Sequence, residues 1–144
     1  LGTEESLRYL DRFQPLALLL MRLALGAIMV AHGYQKVLNL HQTANFMAGL
    51  GIPHWLAYVA SFTEFLGGLL ILAGFFTRPA ALAICIDLSV AIWKAHWHNG
   101  LTGEHGYEFP LAAAAIAFAL IFFGAGPISI DHILRGGGGA SKRS

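Results

Sequence analysis

Charge is what this sequence has least of. Nine Lys and Arg and eight Asp and Glu are spread over 144 residues. So few ionisable groups cannot cover the surface of a water-soluble domain of this length. The net charge is only +1, so nothing points to a nucleic-acid partner. Cysteine is nearly absent: Cys85 stands alone, which excludes an intrachain disulfide, a CxxC redox pair and a CxxCH haem attachment. In its apolar run it reads as a buried, inert thiol. The chain also lacks a nucleotide-binding glycine fingerprint, HExxH and GxSxG, so a known nucleophile or phosphate-cradling motif is not available to it. No metal site and no intrinsic cofactor are predicted. Residues 1–13 are polar and amphipathic, and the first apolar stretch has no AxA-like cleavage site, so no cleaved signal peptide is expected.

What fills the chain instead is apolar: 56% of residues are hydrophobic and the mean hydropathy is +0.61. A hydrocarbon core takes about 20 helical residues to cross. Four stretches approach that length, at 16–34, 55–76, 80–97 and 109–124, the last short enough that it should borrow a turn from each flank. Pro15 and Pro79 stand at the entries to the first and third, where a missing N–H costs little. Trp55, Tyr58, Trp93, Trp97, Tyr34 and Tyr107 gather at one set of ends as an interfacial belt. The reading is all-α: a single four-helix transmembrane domain over 1–135, with lipid as its solvent, followed by a flexible Gly-rich basic tail at 136–144. Leu7, Leu10 and Phe13, with Arg8 and Arg12 four residues apart, predict a short amphipathic helix before the first span. His41–Leu50 predicts another, closed by Gly49, Gly51 and Pro53. The short Thr77-Arg78 connection makes spans two and three antiparallel neighbours. Arg8, Arg12, Arg78, Arg135, Lys142 and Arg143 share one side, with only Lys36 and Lys94 opposite. Both termini are therefore expected in the cytoplasm.

Arg22, Glu64, Asp87 and Lys94 fall inside the spans, where a central charge costs about 2.5–3.5 kcal/mol and turns toward the bundle interior. At a helical rise of about 1.5 Å per residue, Arg22 and Asp87 lie ~9 and ~10 Å deep, Glu64 and Lys94 ~18 and ~21 Å. Matching depths predict two ion pairs, Arg22 with Asp87 and Glu64 with Lys94. Such pairs hold helices in register or form a proton relay or a pocket for a polar head group. Asp87, Ala91, Lys94 and His98 recur at helical spacing and present one stripe. Arg22, Gly26, Met29 and Gly33 share a face of the first helix. Glu64 sits with Gly67, Gly68 and Ile71 on a similar small-residue face of the second. Six of seven histidines map to the aromatic-rich end. His96-x-His98 and His32 offer nitrogens to a metal or a quinone carbonyl, but two positions apart on a helix point about 200° from each other. Solvated interfacial histidines are the plainer reading, with Lys36, His96, His98 and Glu108 in an outer polar mouth.

Four segments in order carry a family resemblance: Arg22-x-x-x-Gly26 with His32-Gly33-x-x-Lys36; Glu64-x-x-Gly67-Gly68; Gly74-x-x-Thr77-Arg78-x-Ala80-Ala81; and Gly124-x-Gly126-Pro127-x-Ser129-x-Asp131. Together, over 16–132, they resemble the DoxX family of small membrane proteins. The resemblance implies a four-helix bundle in a bacterial or archaeal plasma membrane. The family's namesake is a membrane subunit of a thiosulfate:quinone oxidoreductase, and relatives are linked to thiol and quinone chemistry. The expectation that follows is a quinone-interacting or anchoring subunit of a redox system, accessory to an oxidoreductase and dependent on other membrane subunits. Arg22, His32, Glu64, Asp87 and Lys94 would line or support its pocket. A non-catalytic assembly subunit of a larger membrane complex is the alternative, and a small oligomeric transporter a third.

Overall fold

The computed structural model describes residues 2–139. It holds seven α-helices and, among the described residues, no strand. The first, α1 (Thr3–Asp11), buries none of its residues. Glu4 and Glu5 in its first turn and Arg8 in its last complement the helix dipole. Arg12 lies 4.4 Å from the centroid of the Tyr9 ring, and Leu7 and Leu10 are exposed. The expected surface helix is present.

The bundle proper is α2 (Gln14–Leu38), α4 (His54–Ala73), α5 (Thr77–Ala91) and α6 (Glu108–Phe123), with α3 (Leu40–Gly49) between the first two and α7 (Ile130–Gly139) after the last. Pro15 opens α2, as expected of a first-turn proline. Beyond Ala91 the helix changes pitch, through a π turn at Ile92–His96 and a 3₁₀ turn at Trp97–Asn99. Counting that extension, three helices are long and apolar enough to cross a membrane: Gln14–Leu38, His54–Ala73 and Thr77–Asn99. The fourth apolar helix, α6, has 16 residues, about 24 Å. It does not borrow the flanking turns expected of it. Gly124 (φ +72°) ends it, and the chain before it closes a loop in which Tyr107 N–H donates to Gly100 O. Gly136–Gly139 belong to α7 where the sequence reading expected a tail, while residues 140–144 lie outside those described.

The outer surface confirms the solvent. Leu20, Leu66, Leu82, Ile86, Phe118 and Phe122 are all exposed on the bundle helices, an apolar skin that water would not tolerate on this scale. Inside, the core is built from small residues: Ala80, Ala81, Ala113, Ala114 and Ala117 pack with Leu25, Met29, Ile71, Ile84, Leu88 and Leu120. Where lipid tails are as apolar as leucine, close backbone packing is what holds helices together. Cys85 is half-buried here, its thiol 3.8 Å from Ala114 O.

The tightest seam is between α2 and α4. A Cβ added to Gly68 would stand 2.8 Å from Val30 N, and one on Gly26 would stand 2.7 Å from Leu72 Cγ. A Cβ on Gly33 would overlap the backbone of Phe65. Three glycines thus bring two backbones into contact, with consequences for the charged residues on either side.

At the far end of the seam, α4 closes with Gly74 in the left-handed conformation (φ +69°). Gly74 N–H donates to Ile71 O (3.1 Å) and Phe75 N–H to Leu70 O (2.9 Å), the paired bonds of a Schellman motif. The next helix, α5, has no cap of its own. Asp131 supplies it from α7: its carboxylate accepts from Phe76 N–H (2.9 Å) and Thr77 N–H (3.1 Å), while its own N–H donates to Gly74 O (2.9 Å).

Candidate functional site

Along α2, residues 22, 26, 29, 33 and 36 fall at alternating spacings of four and three, a single helical stripe. The first four are buried. Because α2 runs on to Leu38, Lys36 lies on the same helix, one turn past Gly33 and opposite the residue preceding Phe65. That residue is Glu64. Lys36 Nζ donates to Glu64 Oε1 at 2.6 Å. The Glu64 side chain is 4% exposed and that of Lys36 30%, so the ammonium reaches in from the rim and the carboxylate is enclosed.

Asp87 on α5 lines the same space, its carboxyl against that of Glu64. Glu64 Oε2 and Asp87 Oδ2 are both buried without a hydrogen-bond partner. An orphaned buried oxygen costs about 1–3 kcal/mol, and here two of them face one chamber. Facing each other, the two carboxyls can share one proton, and beyond that they lack an outside donor.

The chamber has a volume of about 510 Å³. Its polar groups are few: Lys36, Thr63, Glu64, Asp87 and Lys94 stand among residues such as Ile52, Leu56, Ile86 and Val90. The segment after α3 closes one side with Gly51, Ile52 and Pro53, and the π turn turns Trp93 and Lys94 toward another. Lys94 Nζ sits 4.3 Å from the centroid of the Trp93 ring. An apolar groove of about 610 Å³ runs along the outside of α4 and α5, past Phe62, Leu66 and Leu70. Val59, Thr63 and Ala83 line both spaces, so the chamber adjoins the groove on the apolar outer surface.

Neither expected ion pair forms. Glu64 pairs with Lys36 rather than Lys94, because α2 is longer than the span read from hydropathy and lysine's four-carbon stem reaches back from its end. Arg22 lies at the opposite end of the bundle from Asp87's chamber. It is 1% exposed and bonds only carbonyls. Its Nε donates to Ile71 O (3.1 Å), Nη2 to Leu72 O (3.0 Å), and Nη1 to Ala125 O (3.1 Å) and Ile128 O (2.6 Å). The end of α4 presents carbonyls that lie outside its regular hydrogen-bond ladder, Ile71 O already taking Gly74 N–H, and a negative dipole pole. A guanidinium has enough donors to satisfy those and the loop after α6 together.

The remaining expected residues divide. Asp87, Ala91 and Lys94 share the chamber wall as their spacing predicted, but His98 is exposed beyond the pitch change. His32 is exposed, its ring 5.7 Å from that of Phe109 and outside the chamber. His96 Nδ1 lies 2.8 Å from His105 O, tying down the loop before α6, and Glu108 is exposed in the first turn of that helix. Of the expected outer mouth only Lys36 lines the chamber. Among the described residues no three of His, Cys, Asp and Glu come together as metal ligands.

Comparison with known proteins places this architecture. The sequence profile of the DoxX family matches residues 17–97, which include Lys36, Glu64, Asp87 and Lys94. The chain is 32% identical over 138 residues to "Inner membrane protein YphA" of Escherichia coli (strain K12), covering 88% of this chain and 98% of that protein. It is 29% identical over 127 residues to "Inner membrane protein YqjF" of the same organism, covering 87% and 97%. A Bacillus subtilis (strain 168) protein named "Putative oxidoreductase CatD" is 29% identical over 102 residues, 71% of this chain and 76% of that one. No solved structure matches.

Proposed function

The chain belongs to the DoxX family of membrane proteins, and from that premise we propose that it is a quinone-interacting membrane subunit of a redox system. One observation carries the reading: two carboxyl oxygens without a hydrogen-bond partner and a lysine ammonium line an otherwise apolar chamber that adjoins an apolar groove on the outer surface. A lipid-soluble carrier can reach such a chamber without crossing water. Its head group needs a few fixed polar partners in an apolar setting, which is the usual make-up of a small-molecule site. The orphaned oxygens of Glu64 and Asp87 accept from a hydroxyl, as the reduced carrier presents, and the Lys36 ammonium donates toward a carbonyl, as the oxidised one does. A quinone, when bound, supplies two-electron chemistry; the residues here orient the head and hold protons beside it. The relative named as an oxidoreductase supports the same class of role.

Electron exchange is assigned to a partner subunit in the same membrane, since this chain carries no flavin or metal motif of its own. The excess of arginine at the Arg8, Arg12, Arg78 and Arg135 end supports a cytoplasmic reading of that end, with the chamber in the outer half of the bilayer.

The test is titration of detergent-purified protein with a quinone analogue. Saturable binding by the wild type, weakened by roughly tenfold in Glu64→Gln, supports the reading. A wild type that does not bind overturns it and leaves the charges a purely structural role.

A further inference from the structure

A second polar cavity lies at the opposite end of the bundle from the chamber. Its volume is about 190 Å³, and Arg78, His132 and Arg135 line it together with Asp131 and the backbone of Gly124–Gly126. We propose that this cavity binds a phosphate group, and that the physiological source of that group is the head of an anionic phospholipid.

Charge is the first argument. Asp131 is the one acid among the lining residues, and both of its oxygens are already committed to the N–H groups of Phe76 and Thr77. Arg78 and Arg135, by contrast, make no hydrogen bond and no ion pair among the described residues. Two guanidinium groups around one committed carboxylate leave a surplus of a single positive charge, which a phosphodiester balances. Arginine's planar fork suits phosphate oxygens in pairs, and the resulting bonds are about twice as strong as neutral ones.

The second argument is construction. Three separate segments meet here: the first turn of α5 gives Arg78, the loop after α6 gives the floor, and one face of α7 gives His132 and Arg135. Asp131 fixes α7 against α5, so the segments that carry the two arginines meet at the cavity. The floor is glycine for a reason. A Cβ on Gly124 would stand 3.1 Å from Arg78 Nε, narrowing the space that the guanidinium borders.

Position gives the third. The cavity borders the exposed Phe123 at the end of an apolar helix, and α1, which precedes α2 in the chain, lays Leu7 and Leu10 open beside its arginines. Basic pockets at the ends of transmembrane helices bind acidic head groups in this way.

The experiment is native mass spectrometry of the full chain, delipidated and returned to mixed phosphatidylglycerol and phosphatidylcholine, with glycerol 3-phosphate and inorganic phosphate titrated separately. The expected result is one retained phosphatidylglycerol, lost by roughly tenfold in Arg78→Gln with Arg135→Gln and retained in Arg8→Gln with Arg12→Gln. If the double variant does not fold, Arg135→Gln alone carries the same expectation at a smaller loss. Binding of the soluble phosphates, abolished by the same substitutions but without lipid selectivity, keeps the phosphate site and overturns its lipid source. Equal loss in the Arg8 and Arg12 variant, or retention in the Arg78 and Arg135 one, overturns the proposal as a whole.

Discussion

Gly33 touches the backbone of Phe65 so closely that no side chain fits between them. That contact sets the height of α2 against α4, and with it the meeting of Lys36 and Glu64. Gly33→Ala is therefore expected to push the helices apart, lower the thermal midpoint in detergent by several degrees and weaken ligand binding at the chamber. Gly49→Ala, where an added Cβ meets nothing within 4 Å, serves as the control and should leave both unchanged.

The lysine and the glutamate form a partly buried pair, its carboxylate enclosed and its ammonium at the rim, and removing the lysine leaves the carboxylate without its partner at a cost of about 1–3 kcal/mol. Lys36→Met should show that loss in equilibrium unfolding. Adding Glu64→Gln to it should recover most of the stability, and a double-mutant cycle measures the coupling. Lys94→Met, by contrast, removes no ion pair and should change stability by well under ~1 kcal/mol.

Arg22 bonds four carbonyls from inside the bundle. In Arg22→Met, Ile71 O keeps Gly74 N–H but the oxygens of Leu72, Ala125 and Ile128 are stranded, at about 1–3 kcal/mol for each that finds no other donor, so the variant should fail to accumulate as folded protein. Arg22→Lys should not rescue it, because an ammonium offers three donors from one point where four carbonyls are spread over two segments.

Asp131 predicts a dependence on acid. Burial alone would raise its carboxyl, but the N–H groups of Thr77 and Phe76, with Arg135 nearby, outweigh that and hold it below the ordinary aspartate value. A depressed folded-state value means that the stabilisation is present in full above the unfolded value of about 3.9 and is lost as pH falls through the folded one. Thermal midpoints between pH 6 and pH 2 should fall on the acid side in the wild type. Asp131→Asn should be less stable at pH 6 and lose that part of the acid dependence.

The four spans, the surface helix and the short helix after the first span were legible because apolar runs and glycine or proline stops leave strong local marks. Lys36 was legible too, as the fifth member of the Arg22, Gly26, Met29, Gly33 stripe, but hydropathy ended the span at Tyr34 and set it outside. Depth alone chose the wrong partners. A ruler along each helix says nothing of side-chain reach, and it counts only carboxylates as acceptors when carbonyls at a helix end serve Arg22 as well. The π turn that aims Lys94, and the cap that Asp131 lends to α5 from another helix, leave no local signal. The cap depends on a contact across the bundle, and Asp131 was visible only as part of the closing motif.

The bonds of Arg22 have a bearing on how the protein is made. Synthesis delivers that arginine in the first span, whereas two of its acceptors, Ala125 and Ile128, arrive more than a hundred residues later. Until the ribosome has finished the loop beyond the last span, a charge sits in a half-built bundle with part of its shell missing. Nascent chains stopped just after α6 should accordingly be recognised by membrane quality control and degraded, while those that extend past Asp131 survive.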